Sequence, residues 1–272
     1  RLDLPLPERP VNTTIESRGR SISTPFRLCS RAPRTTRRSA NAQLPFKIDF
    51  CRFKKYTFEH SIEQGVSASL NHMTNELTLH HISVSQMDNN CYLLAANGNG
   101  LLIDAADDAA ALLKLAEDAG VTITKVLTTH RHADHVRALP EVLQKTGATH
   151  YAPFLEVPAL PSAVDVELHH GDSIEFEGHV FPISILRGHT PGGAVLTAEI
   201  DGKTHLFVGD SLFPGGLGKT SSEGDFVRLF NDVKERIFDT YDDDSIVWPG
   251  HGKETTLGAE RPQLEIWWER RW

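Results

Sequence analysis

The rhythm of apolar and polar positions changes several times along this chain, and each change predicts an element. "LTLHHISV", 77–84, alternates with a period of two and reads as a strand. "NCYLLAANGNGLLIDAA", 90–106, places two apolar runs around Asn97-Gly98-Asn99-Gly100 and reads as a hairpin, because these residues accept left-handed turn conformations. Over 107–120 the period lengthens to that of a helix, with Leu112, Leu113 and Ala116 on one stripe, Asp107 or Asp108 as its cap and Gly120 as its stop. "ITKVLTT", 123–129, is a buried strand, and 136–147 is helical with Pro140 in or near its first turn. Strands follow near 148–152, 173–177, 179–186, 194–200 and 203–208. Phe226, Leu229, Phe230, Val233 and Ile237 mark a helix over 225–238. "SIVWPG", 245–250, is a short last strand, and 257–272 a terminal helix interrupted or started by Pro262. Strands interleaved with helices predict an α/β domain.

That pattern begins near Met73, the first methionine of a chain that starts at Arg1. Residues 1–45 are dominated by Pro, Ser, Thr and Arg and keep neither period, which predicts disorder. We read 1–72 as an extension outside the fold, upstream-translated or appended; a targeting segment and an accessory arm are the alternatives. The catalytic domain is then expected over 73–272.

Charge divides the chain at the same place. The net charge of −8 combines +7 over residues 1–72 with −15 over 73–272. So acidic a body is a poor partner for nucleic acid, whose phosphates need Lys and Arg. No apolar run approaches the roughly 18–20 residues of a membrane span. Cys29, Cys51 and Cys91 are scattered and form no CxxC, which argues against a disulfide framework or a cysteine zinc knuckle and fits a reducing, cytoplasmic setting.

The chemistry lies just beyond the strands. "KVLTT" runs into His130, His132, Asp134 and His135; "ISILRG" into His189; "HLFVG" into Asp210; "IVWPG" into His251. In layered α/β proteins such strand ends converge, and ligands collect there. Imidazole and carboxylate suit zinc, iron or manganese. Seven ligands exceed the about four of one tetrahedral ion and match two ions sharing a carboxylate. HxH on extended backbone points both imidazoles to one side, while Asp134 and His135 begin the next helix and face a second ion. Asp134 at a helix start also suits a plain capping role. Glycines flank His189, Asp210 and His251, as close backbone approach or ordinary turns require.

These residues, in this order, resemble the metallo-β-lactamase superfamily: HxHxDH at His130–His135, His189 in "GHTPGG", Asp210 in "GDSLF" and His251 in "PGHG". The resemblance spans nearly all of 73–272 and implies a four-layer αββα sandwich. It implies one metal on His130, His132 and His189, a second on Asp134, His135 and His251, and Asp210 bridging the two. Two zinc ions are the implied cofactors, with iron or manganese as alternatives. β-Lactamases of the best-known zinc classes lack an Asp at the bridging position, so antibiotic hydrolysis is not expected. "GDSLFPGGLGKT" is most similar to the glyoxalase II and persulfide dioxygenase branches. Leu217-Gly218-Lys219 replaces their usual Cys-Gly-Arg, and only 21 residues follow His251, where glyoxalase II carries a helical domain that grips glutathione. Glutathione recognition of that kind is not expected.

The expected reaction is metal-assisted hydrolysis of a small molecule's acyl bond: a thioester, ester or lactone. A metal-activated hydroxide attacks, and Asp134 orients the nucleophile and shuttles its proton. No G-x-S-x-G elbow is present. Lys219, Thr220 and Ser221 either reach the substrate or form a solvated loop. A single-iron, persulfide dioxygenase-like oxygenase and a non-catalytic metal-binding protein are the competing readings; the full set of seven argues against the first, the open glycine-lined setting against the second. His80, His81, His150, His169, His170, His179 and His205 read as structural or surface residues. Arg131 and Ala133 read as spacers, with Arg131 free to vary.

Overall fold

The computed structural model describes residues 76–271. The expectations for 1–72, the start at Met73, and Cys29 and Cys51 lie outside the described residues.

The first sheet has six strands in chain order: β1 (Thr78–Val84), β2 (Asn89–Ala96), β3 (Asn99–Ile103), β4 (Thr122–Leu127), β5 (Thr149–Pro153) and β6 (Val166–Leu168). β1, β2 and β3 pair antiparallel, whereas β3 to β6 run parallel. The second sheet contains β7 (Ser173–Phe176), β8 (His179–Leu186), β9 (Gly193–Ile200), β10 (Lys203–Gly209), β13 (Ile246–Pro249) and β14 (Thr255–Thr256), in the order β14-β13-β10-β9-β8-β7. A hairpin of β11 (Leu212–Phe213) and β12 (Gly216–Leu217) follows β10.

The two-residue period of the strands decides the layers. Tyr92, Leu94, Leu101, Ile103 and Leu127 meet Ile183, Ile185, Leu196 and Phe207 in a core between the sheets. The alternate residues Cys91, Leu93, Leu102 and Val126 face the other way and pack under α1 (Ala109–Asp118) and α3 (Leu139–Thr146). Val195, Leu206 and Val208 do the same under α4 (Glu223–Val233) and α6 (Leu264–Arg270). Three cores therefore separate four layers, the αββα sandwich. Fully burying one of these aliphatic side chains contributes about 1.5–3 kcal/mol.

Most predicted elements stand close to their expected bounds. Asp108 is the residue that caps α1, accepting from the Ala111 amide at 3.1 Å. The helix expected over 136–147 is two pieces, α2 (Ala133–Val136) and α3, with Pro140 at the start of the second. The helix expected over 225–238 ends in a π-helical turn, Lys234–Phe238. The terminal helix is broken too: α5 (Leu257–Glu260), a 3₁₀ turn holding Pro262, then α6. β6, β11, β12 and β14 were not anticipated, because two or three residues are too few to show a period. Among the described residues no helix is long and apolar enough to cross a membrane.

Candidate metal centre

The parallel strands β3, β4 and β5 end at one edge of the first sheet, where their loops carry Asp104, His130 and Glu156. β8, β10 and β13 lead into His189, Asp210 and His251. Asn89, which opens β2, forms an isolated bridge to His251 and joins the edges of the two sheets. All seven residues expected from the sequence meet there.

They form two groups. In the first, His132 Nδ1 lies 3.1 Å from His130 Nε2 and 3.1 Å from His189 Nε2. Asp210 Oδ2 is 3.9 Å from His130 Nε2 and 3.7 Å from His189 Nε2. In the second, His135 Nε2 and His251 Nε2 are 3.2 Å apart, and Asp134 Oδ2 is 3.3 Å from His251 and 3.8 Å from His135. Asp210 reaches this group as well, with Oδ1 at 3.3 Å from His135 and Oδ2 at 3.4 Å from His251.

The outer ring atoms fix the protons. His135 Nδ1 is 2.8 Å from Asp104 Oδ2, His189 Nδ1 is 2.7 Å from the Lys219 carbonyl, and His251 Nδ1 is 2.8 Å from the Met87 carbonyl. These acceptors require an Nδ1–H and leave an Nε2 lone pair pointing inward. Thr129 donates its hydroxyl to Asp104 and so accepts from His130 Nδ1 at 3.0 Å, which orients His130 likewise. Inward lone pairs about 3 Å apart repel one another unless a cation lies among them. Donors bound at about 2 Å to one tetrahedral ion lie roughly 3.3 Å apart, close to the shortest separations here. Asp210 Oδ1, buried and without a hydrogen-bond partner, is an acceptor such an ion would satisfy. The donor set therefore fits metal.

Electrostatics agree. Burial pushes His130 well below its ordinary value and keeps it neutral. Burial opposes charge on His135 too, but Asp104 and Asp210 outweigh it and push the imidazole up to about 10. Burial likewise disfavours the Asp210 carboxylate, yet His135 and His251 hold its carboxyl far below the usual range. A cation supplies the positive charge for which these carboxylates otherwise draw a proton.

Close packing confines the centre. A β-carbon on Gly250 would lie 2.2 Å from Asp210 Oδ1 and 2.7 Å from His135 Cε1. One on Gly218 would lie 1.7 Å from the Asp210 carbonyl oxygen. Phe213, on β11, tilts against His251 with ring centroids 6.4 Å apart.

The family model described as the metallo-beta-lactamase superfamily matches residues 85–251. This chain belongs to that superfamily. Among its relatives, the hydroxyacylglutathione hydrolase GloC of Haemophilus influenzae is 30% identical over 201 residues, spanning 66% of this chain and 93% of GloC. The crystal structure of BLEG-1 B3 metallo-beta-lactamase superposes with a TM-score of 0.63 over 70% of this chain and 99% of its own; at 23% identity the likeness is one of fold. The structure of TTHA1623 in a di-iron-bound form, 26% identical, gives a TM-score of 0.57 over 67% of this chain and 96% of its own.

Several members of this superfamily site are ordinary polar residues that sequence reasoning missed. Asp104 is buried and accepts from the Thr129 amide, the Thr129 hydroxyl and His135. Those bonds already occupy its oxygens, although it lies close enough to His130 and His135 to share a metal with them. Its φ of 59° is left-handed, a strain of about 1–3 kcal/mol. Three hydrogen bonds to a buried carboxylate, each about 1.5–3 kcal/mol, outweigh it. Asn89 donates to Asp134 Oδ2 at 3.1 Å. The Asp134 side chain lies in the first turn of α2 and faces His251 and Asn89. Arg131 is not a free spacer: it is tied to Glu156 by an ion pair of 2.6 Å. Among the described residues the other histidines stay out of the centre; His150, for example, is buried between Thr128 and the Ala163 carbonyl. Trp267 is core, and Trp268 packs on Phe226 and Phe230.

Proposed function

We propose that this protein hydrolyses an acyl bond in a small molecule, a thioester first and an ester or lactone next, at a centre of two zinc ions. His130, His132 and His189 would hold one ion, Asp134, His135 and His251 the other, and Asp210 both. The observation that carries this reading is Asp210: a carboxylate facing both groups of imidazoles, with Oδ1 buried and without a hydrogen-bond partner. When bound, such an ion pair supplies hydroxide at neutral pH and polarises the carbonyl under attack.

The chain's own residues do the rest. Asn89 fixes Asp134 at the edge of the second group. Burial disfavours the Asp134 carboxylate, but the Asn89 hydrogen bond and the charge of His135 outweigh it, so the group stays ionised. It then accepts the proton of the nucleophile and returns it to the leaving thiol or alcohol. Lys219 holds His189 through its carbonyl and places the loop Lys219–Ser221 beside the centre, where a cation suits an acidic substrate. GloC is named for hydroxyacylglutathione, which makes a glutathione thioester the first compound to assay. The di-iron form of TTHA1623 makes iron the competing metal. A mononuclear oxygenase would leave Asp134, His135 and His251 without a task.

Metal analysis of purified chain, followed by assays of thioesters, esters and lactones after chelation and reloading, tests the proposal. Two ions per chain and metal-restored hydrolysis are expected. One iron per chain with oxygen uptake would replace the hydrolase by an oxygenase.

A further inference from the structure

The stretch "HRH" reads as two ligands and a spacer, but Arg131 between them is tied down by Glu156. Glu156 lies just beyond β5, at the start of the 3₁₀ turn Val157–Ala159, and is fully buried. Its Oε2 accepts from the Arg131 amide at 3.1 Å and from Arg131 Nε at 2.6 Å. Its Oε1 accepts from the Gly192 amide at 2.7 Å. The Arg131 guanidinium also donates to the Leu155 carbonyl. One carboxylate thus grips the backbone between His130 and His132 with one oxygen, and the backbone three residues after His189 with the other. Gly192 is packed for this contact: a β-carbon there would lie 2.8 Å from Leu155 Cδ1. The second group, Asp134, His135 and His251, makes no hydrogen bond to Glu156.

We infer that Glu156 is a positioning residue for the first half of the centre, setting the spacing of the His130–His132 loop and the His189 loop before any ion arrives. The inference rests on the metal reading proposed above. A buried charge has a high desolvation cost and is retained where its partners are fixed. Here the partners are main-chain amides of the two loops that must be held apart at one distance. Supports of this kind around metal ligands govern affinity as well as geometry. Glutamine at 156 keeps the volume but cannot serve both loops. With its carbonyl toward Gly192, its NH₂ group meets the Arg131 donors; flipped, it meets the Gly192 amide.

The test is a zinc titration of the full chain against a chromophoric chelator. In a His251→Ala background, which retains the first half, Glu156→Gln is expected to weaken zinc binding by about 10–100-fold. In a His132→Ala background, which retains the second half, the same substitution is expected to leave zinc affinity unchanged. Equal weakening in both backgrounds, or none in the first, overturns the inference. Should Glu156→Gln fail to fold by circular dichroism, Gly192→Ala spreads the same clamp without touching a charge and carries the same expectation. A parent chain that binds no zinc overturns the proposed function together with this inference. A parent that binds two ions, with a Glu156→Gln variant as tight as its parent, overturns this inference alone.

Discussion

The two halves of the centre use the same kinds of ligand but are supported in different ways. In the first, His130 leans on a threonine hydroxyl and His189 on a main-chain carbonyl, while Glu156 sets the loops from behind. In the second, His135 leans directly on a buried carboxylate, Asp104, and Asp134 is held by Asn89. The consequence is visible in charge. Burial leaves His130 neutral, whereas Asp104 and Asp210 overcome burial at His135 and make it strongly basic. A carboxylate behind an imidazole strengthens it as a donor, and a neutral hydroxyl does so less. What separates the halves is the carboxylate standing directly behind His135, for which the first half has only the Thr129 hydroxyl and the Lys219 carbonyl; His251, like His189, rests on a main-chain carbonyl.

The largest effect should come from removing what the halves share. Asp210→Ala is expected to abolish hydrolysis and bring metal content close to zero by elemental analysis; one ion retained per chain would show that a half stands alone. Next comes Gly250→Ala, whose added methyl group collides with Asp210 and His135 from both halves. It should cost about 1–3 kcal/mol by thermal unfolding and depress loading of both ions; full loading at unchanged stability would mean that the centre is looser than its packing. Asp104→Asn separates the halves. Asparagine tolerates the left-handed backbone at this position. With its NH₂ group toward His135, however, the amide would reverse that ring's tautomer and turn an N–H inward. We expect about 10–100-fold weaker binding in the second half and a smaller loss in the first, which feels Asp104 only through the Thr129 hydroxyl; equal losses in both would erase the contrast. The smallest effect belongs to Asp108→Ala, which removes the cap of α1. It should lower stability by about 0.5–2 kcal/mol with metal loading intact; metal loss there would mean that the centre follows global stability rather than its own supports.

Legibility in the sequence was uneven. β4 leading into His130 and β13 leading into His251 were readable, because a strand period that stops at a histidine leaves a local mark. Asp104 left no such mark. It sits in "LLIDAA" as any acidic residue closing a strand might, and its partners Thr129 and His135 lie 25 and 31 residues away. Glu156, in "PFLEVPA", is quieter still, since nothing local distinguishes a buried glutamate from a solvated one. Arg131 was misread for the same reason. As a residue between two histidines it looks like a spacer, and only the position of β5 beside β4 places Glu156 against it.

The sequence by itself determined the candidate ligands, their order and the strands that deliver them. Period and residue type are local properties, and metal chemistry restricts the donors to a few side chains. Strands interleaved with helices marked an α/β domain, and the four-layer sandwich followed from the resemblance those residues carry. Only the tertiary structure decided which ring nitrogen each histidine turns inward and which carboxylates stand behind them. Those choices are set by distances of about 3 Å between residues far apart in the chain, and the folding of the two sheets against each other creates them.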